Sequence, residues 1–142
     1  MAADGFSLKD FHVPEGLRFH PEHLWVKTEG ATLTVGWTDF SAKTAGDVAF
    51  VDLPKVGAVL PKDGSFGSLE TGKWVGKLPA PVAGTVAAVN EDLRKNPSQI
   101  NKDPYGAGWI VKITAKDPKA VEKLLDRAAY LKVVEKALAE MG

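Results

Sequence analysis

The sequence of 142 residues contains no cysteine, so disulfide bonds, thiolate metal sites and cysteine nucleophiles are all excluded. Any redox chemistry must therefore come from a cofactor. An excess of one charge is also missing, because 18 Lys and Arg residues balance 18 Asp and Glu residues. Proteins that bind a phosphate backbone carry a basic excess, so nucleic acid is not expected as a partner.

Long apolar runs are missing as well. No segment approaches the length of about 20 apolar residues that a transmembrane helix needs. The first residues do not show a basic region followed by an apolar run, which is the pattern of an export signal. No membrane partner is expected, and the predicted compartment is the cytoplasm. Hydrophobic residues make up 44% of the chain, which is enough for the packed core of one domain.

Short strand patterns fill most of the chain. Residues 1–16 mix polar residues with Gly and Pro and are predicted to form a loosely ordered N-terminal arm, followed by one domain over residues 17–142. β-Branched residues alternate on both sides of Glu29-Gly30, which predicts a hairpin. Residues 96–108 are rich in Pro, Gly, Asn and Asp and are predicted to be a loop.

Helix signals are few and local. Residues 38–45 predict one short helix with Thr38 or Asp39 as its N-cap. Asp117-Pro118 combines an N-cap with proline at the first helical position, so C-terminal helices are predicted from about residue 117. The apolar stripe that follows fits either two helices or one helix broken near Asp126. Many short strands followed by helices predict a mainly β sandwich or barrel.

Lys73 lies in a tight turn that is predicted between two strand patterns, Ser65–Thr71 and residues 74–78. Gly72 is predicted to supply the positive φ of the first central residue of a type II′ turn, with Lys73 as the second. This position would point the amine away from the protein, where a modifying enzyme could reach it. The turn by itself favours a simpler interpretation, a solvated lysine, because turns are polar by default.

Residues 67–73 also spell most of a phosphate-binding loop. The residue after the lysine should be Ser or Thr, which holds magnesium, but it is Trp74. A helix should follow and offer its N-terminus to the phosphate. Gly76, Pro79 and Pro81 stand there instead, and a helix interior does not tolerate them. Nucleotide binding is therefore not expected.

Two histidines lie close together, at His20 and His23, with Glu22 between them. They could supply half of a metal site, but a further ligand at a fitting spacing is missing, and Pro21 interrupts regular helical spacing. A structural or surface role is predicted instead. The sequence has no Gly-x-Ser-x-Gly motif and no cluster of acid, base and nucleophile, so the chain is not expected to be an enzyme.

Seven segments, taken in order and with their spacing, match a known pattern. They are Glu22-His23-Leu24-Trp25-Val26, Val35-Gly36-Trp37-Thr38-Asp39, residues 46–54, Ser65-Phe66-Gly67, Glu70-Thr71-Gly72-Lys73, Ala80-Pro81-Val82-Ala83-Gly84 and residues 103–109. Over residues 16–131 the chain resembles the glycine cleavage system H protein family, whose members are lipoyl carriers. The lipoylated lysine of that family falls on Lys73.

The resemblance implies a mainly β, barrel-sandwich hybrid fold of the lipoyl-domain type, with short helices and C-terminal helices. It also implies that a lipoate-protein ligase or transferase joins lipoic acid to the Lys73 amine as an amide. Glu70, Gly72 and Trp74 would then present the turn. Such a protein is a cofactor-bearing carrier on which partner enzymes act, and its redox sulfurs belong to the attached group.

Three residues depart from the family pattern at positions predicted to line the cleft of the arm. Leu24 replaces a Glu, Phe40 replaces a common His, and Lys77 replaces an acidic residue. An ammonium group on the arm would lose polar partners and gain a like charge, and that repulsion costs about 1–4 kcal/mol at a separation of about 4 Å. The departures therefore favour a neutral or anionic cargo.

This combination is similar to the H-protein-like lipoate-binding proteins of bacterial sulfur oxidation. The main hypothesis is an arm that shuttles sulfur intermediates or electrons to a heterodisulfide-reductase-like complex. The alternative is a glycine cleavage H protein that carries the aminomethyl group, with glycine decarboxylase, aminomethyltransferase and dihydrolipoamide dehydrogenase as partners. A second alternative is a binding module that has the same fold and is not lipoylated.

Overall fold

Two antiparallel sheets form the body of the protein in the computed structural model, which describes residues 7–141. The larger sheet has six strands in the order β1-β2-β3-β9-β8-β5, and the smaller has three in the order β4-β6-β7. The strands are β1 Arg18–His20, β2 Leu24–Glu29, β3 Thr32–Trp37, β4 Val48–Asp52, β5 Val59–Leu60, β6 Ser65–Thr71, β7 Val75–Pro79, β8 Gly84–Val89 and β9 Val111–Ala115. The predicted mainly β, barrel-sandwich fold is confirmed.

The main core is built by the inward side chains of both sheets. Leu69 of β6 and Leu78 of β7 belong to the same buried cluster as Val86 of β8 and Ile113 of β9. Burying each aliphatic side chain of this size contributes about 1.5–3 kcal/mol, before the conformational entropy that folding costs is subtracted. The predicted hairpin is formed by β2 and β3, and Gly30 at its turn has the positive φ of 66°.

Helix α1, Asp39–Ala45, follows β3 directly. The side chain of Thr38 accepts a hydrogen bond from the backbone N–H of Ser41 at 3.4 Å, which makes Thr38 the N-cap. The helix ends at Gly46, whose φ of 91° strongly favours glycine. The predicted helix is thus confirmed, and of its two candidate caps the structure uses Thr38.

Helix α2, Gln99–Lys102, lies inside the segment that was predicted to be a loop. Its four residues are too few to show a helical repeat of apolar positions, and only Ile100 is buried. Asn101 gives this short helix its tertiary role. Its side-chain amide donates to the carbonyl oxygens of Ala42 and Gly46, and its oxygen accepts from the N–H of Val48.

The segment before β1 packs against the body of the protein. Leu8–Asp10 forms one turn of 3-10 helix, and Phe11 and Val13 are buried. The Tyr105 hydroxyl donates to the His12 carbonyl oxygen at 2.6 Å. This packing differs from the loosely ordered arm predicted for residues 1–16, because two apolar side chains in an extended stretch are enough to anchor it. Residues 1–6 of that predicted arm lie outside the described residues.

Two helical segments form the C-terminus, which decides between the two alternatives that the sequence left open. A 3-10 helix, Pro118–Lys123, is capped by the Asp117 side chain, and α3, Arg127–Met141, follows. Between them Leu125 exchanges two backbone hydrogen bonds with Phe19, at 2.8 and 2.9 Å, which breaks the helix. Among the described residues no helix is both long and apolar enough to cross a membrane.

Helix α3 covers a second core on the outside of the larger sheet. This second core consists of Phe11, Val13, Phe19, Trp25, Phe40, Tyr130 and Val134. The ring of Tyr130 stacks on that of Phe19 with 4.5 Å between the centroids. Phe40 of α1 belongs to this core, so the N-terminal segment, α1 and α3 hold one another in place.

Candidate functional site

The turn that carries Lys73 is closed by the side chain of Thr71. Strand β6 ends at Thr71 and β7 begins at Val75, with Thr71 N–H donating to the Trp74 carbonyl at 2.8 Å. The Thr71 hydroxyl oxygen accepts from the N–H groups of Lys73 and Trp74, at 3.1 and 3.0 Å. The same hydroxyl donates to the Ala45 carbonyl at 2.8 Å. One buried threonine therefore shapes residues 71–74, the attachment turn, and fastens it to the end of α1.

The type II′ turn predicted around Gly72 is wrong, because Gly72 does not have a positive φ. A Cβ atom on Gly72 would meet no atom within 4 Å, so the turn needs glycine there neither for its backbone nor for space. The Thr71 hydroxyl takes the place of a backbone turn, since threonine side chains close such loops through their own hydrogen bonds. The sequence signal for this was the threonine at the end of the strand.

Lys73 is exposed at the tip of the attachment turn, as predicted. Its aliphatic chain does not point straight away from the protein, since its Cε atom lies 3.8 Å from the position that a Cβ on Gly46 would take. Within residues 7–141 the Lys73 amine has no hydrogen-bond or ion-pair partner. The turn thus offers a free primary amine to an enzyme.

A cavity of about 760 Å³ lies beside this amine, and we call it the turn cavity. Its walls are residues 21–23, Trp37 at the end of β3, one side of α1, the attachment turn and β7. Of the residues predicted to line the cleft, Phe40 and Lys77 lie on its wall. The prediction for Leu24 is wrong, because this side chain is fully buried in the main core.

Trp74 forms part of the cavity wall and is 39% exposed. Its ring lies 5.4 Å from the buried ring of Trp37, with an angle of 35° between the planes. The Trp74 ring also covers Gly76, where an added Cβ atom would overlap the indole. Trp74 is therefore held against the protein by its contact with Trp37. The absence of a side chain at Gly76 leaves the space that the indole occupies.

His23 is a cavity residue that sequence reasoning did not assign. Its Nδ1 atom is 2.9 Å from the Tyr130 hydroxyl, which is 2.7 Å from the Thr38 hydroxyl. Its ring lies 4.7 Å from that of Phe40. Burial, and to a smaller extent the nearby His20, lowers the pKa of His23 to about 4, so the ring is neutral at pH 7. Its positive φ of 70° is uncommon for a residue other than glycine, and no local sequence pattern predicts it.

The charges at the turn cavity are two ammonium groups and one carboxylate. Lys73 and Lys77 supply the two ammonium groups, and Glu22 supplies the carboxylate. The neighbouring His20 is occupied elsewhere, because its Nδ1 accepts from the Glu22 N–H and its Nε2 is 2.7 Å from Asp63. In the described part of the chain no group of three His, Asp or Glu residues could hold a metal ion.

Glu70 lies near the attachment turn but points elsewhere. It is exposed on β6, opposite Val75 of β7, and its side chain makes no hydrogen bond within the described residues. Residues 67–73, which resemble a phosphate-binding loop, form the end of a strand and a hairpin turn. The helix N-terminus that a phosphate would need does not follow, because β7 continues the sheet.

Comparisons with known proteins agree on one family. The family model described as glycine cleavage H-protein matches residues 17–137. A glycine cleavage system H protein of Myxococcus xanthus is 43% identical over 124 residues, which are 87% of this chain and 96% of the relative. One of Bacillus cereus strain AH187 is 47% identical over 118 residues, 83% of this chain and 93% of the relative.

A solved structure gives the same result at the level of the fold. The crystal structure of a glycine cleavage system H protein from Mycobacterium marinum superposes with a TM-score of 0.77 at 32% sequence identity. The match covers 84% of this chain and 97% of the other. The similarity therefore extends over both sheets rather than over the attachment turn alone.

Proposed function

We propose that this chain, which belongs to the glycine cleavage H-protein family, carries its lipoyl group on Lys73. H proteins carry lipoate covalently on a lysine and are carriers rather than catalysts. The observation that supports Lys73 is its free amine, on a hydroxyl-closed turn beside a cavity. The bound lipoyl group supplies a disulfide that can be reduced to a dithiol and reoxidised, which a chain without cysteine cannot supply itself.

The residues around Lys73 fit this group. A cavity of about 760 Å³ is within the usual range of about 300–1,000 Å³ for small-molecule sites. Trp37, Phe40 and Trp74 give it aromatic walls, which suit an aliphatic chain and make favourable contacts with sulfur. The neutral His23 adds a hydrogen-bonding group without adding a charge.

The cargo that the comparisons support best is the aminomethyl group of the glycine cleavage system. The relatives that match most of the chain are named glycine cleavage system H proteins. Glu22 on the cavity wall is a carboxylate that could pair with an ammonium group on the arm. The partners would be a lipoate-protein ligase or transferase, glycine decarboxylase, aminomethyltransferase and dihydrolipoamide dehydrogenase. The cytoplasmic location stays a prediction.

The second candidate is the sulfur cargo, with a heterodisulfide-reductase-like complex as partner. One observation favours it. Phe40 and Lys77 both lie on the cavity wall, where the family pattern has a histidine and an acidic residue. An ammonium cargo would meet the like charge of Lys77, whereas an anionic sulfur species would be attracted to it. Leu24 no longer contributes to this inference, because it lies in the main core.

The attachment site is tested by intact-mass measurement of protein made with lipoic acid and a lipoate-protein ligase. We expect one lipoyl adduct on the native chain and none on Lys73→Arg, which keeps the charge but cannot form the amide. A native chain without an adduct would contradict the carrier function and leave the non-lipoylated binding module.

The cargo is tested by loading the lipoylated protein with glycine and glycine decarboxylase. An aminomethyl carrier should load at the rate of a known H protein, and Glu22→Gln should slow loading several-fold. A sulfur carrier should load slowly, and Lys77→Asp should accelerate loading several-fold. Lys27→Asp, an exposed position on β2 that does not line the turn cavity, is the matched control for the change in charge.

A further inference from the structure

His23 and Lys73 lie at opposite ends of the helix that walls the turn cavity. The carbonyl oxygen of His23 accepts from the N–H of Thr38, the N-cap of α1, at 3.0 Å. The attachment turn is fastened to the other end of α1, where the Thr71 hydroxyl donates to the Ala45 carbonyl. Helix α1 has seven residues and is therefore about 10 Å long. The cavity thus extends along one helix from the lysine to the histidine.

The length of this wall matches the reach of a lipoyl group. The nearer sulfur of such a group lies about seven bonds from the Lys73 nitrogen, which is an extended reach of about 8 Å. The side of α1 that lines the cavity is formed by Phe40, Ser41, Thr44 and Ala45. An arm that follows this side of the helix ends beside His23.

The Nε2 atom of His23 is open to the turn cavity. The ring lines the cavity, and its other nitrogen, Nδ1, is engaged by the Tyr130 hydroxyl at 2.9 Å. Among residues 7–141 Nε2 has no hydrogen-bond partner. No buried side-chain nitrogen or oxygen in the same range lacks a partner, so Nε2 is not buried. His23 therefore presents this nitrogen to the group that occupies the cavity.

Two hydroxyls decide which nitrogen of the His23 ring carries the proton. Because the ring is neutral at pH 7, only one nitrogen is protonated. Thr38 is fully buried, its oxygen accepts from the Ser41 N–H, and its hydroxyl is 2.7 Å from that of Tyr130. Within the described part of the chain the Thr38 hydroxyl hydrogen has no other acceptor, and a buried donor without an acceptor is costly. Thr38 therefore donates to Tyr130, Tyr130 donates to Nδ1, and the ring proton lies on Nε2.

This fixed donor determines which group the far end of the cavity prefers. An N–H group can donate to a thiolate, whereas an ammonium group offers it no acceptor. The charges at the cavity balance once Lys73 is an amide, because Lys77 and Glu22 carry one charge of each sign. The nearby His20 is held by Asp63 and does not line the cavity. The neutral donor therefore makes the difference between an anionic and a cationic group.

We propose that Thr38 and Tyr130 are positioning residues that set His23 as an Nε2–H donor to a sulfur of the reduced arm and so favour its thiolate form. This inference rests on the proposed function. The thiol releases its proton to solvent and no other bond changes. The thiolate is the nucleophilic form of the group. The inference concerns the arm before it takes up a cargo, so it holds for either candidate cargo.

Alkylation of the reduced arm tests the proposal. The chain has no cysteine, so the thiols of the lipoylated protein belong to the arm alone. After reduction by a phosphine, the rate of alkylation by iodoacetamide is followed by intact mass at several pH values. We expect a lower midpoint than that of free dihydrolipoamide, and His23→Asn should slow alkylation at pH 7 about threefold. The matched control is His12→Asn, an exposed histidine outside the turn cavity, which should react at the native rate.

Nitrogen NMR of the His23 ring tests the positioning residues without the lipoyl group. The native ring should be protonated on Nε2. Tyr130→Phe and Thr38→Val should each give a mixture of the two tautomers, and Thr38→Ser, which keeps the hydroxyl, should restore the native form. Alkylation of lipoylated Tyr130→Phe should be slowed in the same direction as that of His23→Asn.

The outcomes separate this inference from the proposed function. A native ring protonated on Nδ1 would overturn the inference, and this measurement needs no variant to fold. Native alkylation rates in both the His23 and Tyr130 variants, with urea unfolding midpoints that show folded proteins, would also overturn it while leaving Lys73 as the attachment site. A native chain that accepts no lipoyl group would overturn it together with the proposed function.

Discussion

The ring of Trp74 lies 5.4 Å from that of Trp37, so an exposed residue of the attachment turn rests on a buried residue of β3. Trp74 follows Lys73 directly, and Trp37 belongs to the main core. The contact joins the residue after Lys73 to the packing of the sheet beneath it. It also places an indole on the wall of the turn cavity.

Gly76→Ala should displace Trp74 from Trp37, because the added Cβ atom overlaps the indole ring. Two indoles at this separation give an exciton couplet in far-UV circular dichroism, and we expect this couplet to weaken in Gly76→Ala and to vanish in Trp74→Ala. The matched control is Gly72→Ala, where a Cβ meets no atom within 4 Å and φ is not positive. A couplet of native strength in Gly76→Ala would contradict the packing described above.

Thr71→Val should destabilise the protein and loosen the attachment turn. The valine has no hydroxyl group. It can neither accept hydrogen bonds from Lys73 N–H and Trp74 N–H nor donate one to the Ala45 carbonyl. Partly buried groups left without a partner cost about 1–3 kcal/mol in free energy of unfolding, which urea titration measures. Thr71→Ser keeps the hydroxyl and loses one buried methyl group, so it should cost only about 0.8 kcal/mol. Equal losses in both variants would show that the hydroxyl does not organise the turn.

His23 should make the protein less stable as the pH falls. The unfolded chain binds a proton at this residue below pH 6.5, its ordinary pKa, whereas the folded chain binds it only below about pH 4. Because the unfolded state holds more protons in this window, the free energy of unfolding falls by about 3 kcal/mol between pH 6.5 and 4.

His23→Asn is the variant that tests this dependence. Asparagine tolerates the positive φ of 70° better than most residues but cannot titrate. Urea unfolding of both proteins at several pH values should show a shallower loss of stability in the variant. The same slope in both proteins would mean that other groups cause the acid sensitivity.

Asn101→Asp should destabilise the link between α2 and the end of α1. The amide nitrogen donates to the carbonyls of Ala42 and Gly46, at 3.0 and 2.9 Å, and a carboxylate would place negative charge against both. We expect the free energy of unfolding to fall by about 3 kcal/mol. Lys102→Ala, an exposed neighbour on the same helix, should have little effect. Comparable losses in the two variants would argue against a special role for the amide.

Local sequence signals predicted the secondary structure well wherever the cause lies within a few residues. Gly30 at the hairpin turn, Thr38 as N-cap and Asp117 before Pro118 all act on their immediate neighbours, and the structure has each of them. The strand of residues 65–71 was predicted with its bounds for the same reason. Helix α2 was missed because four residues do not establish a helical period.

The conformation of the turn at Lys73 could not be predicted from local sequence signals. A glycine before the lysine predicted a left-handed turn, yet the Thr71 hydroxyl closes the turn and ties it to Ala45, 26 residues earlier. The packing of Phe11 and Val13 likewise depends on a second core that helix α3 completes from the other end of the chain. Ala45 and helix α3 are both distant in sequence from the residues that they contact. No short sequence pattern could therefore predict the closed turn or the packed N-terminal segment.

By itself the sequence determined the family, the mainly β fold and the position of Lys73, because motif spacing and alternation are properties of the chain. Only the tertiary structure decided which side chains meet beside that lysine. The wall of the turn cavity comes from residues 21–23, α1 and β7, which together span more than 50 residues of the chain. Folding brought Glu22 and His23 to this wall and left Leu24 in the core, because residues 21–23 form a turn whereas Leu24 begins β2 and is buried in the main core.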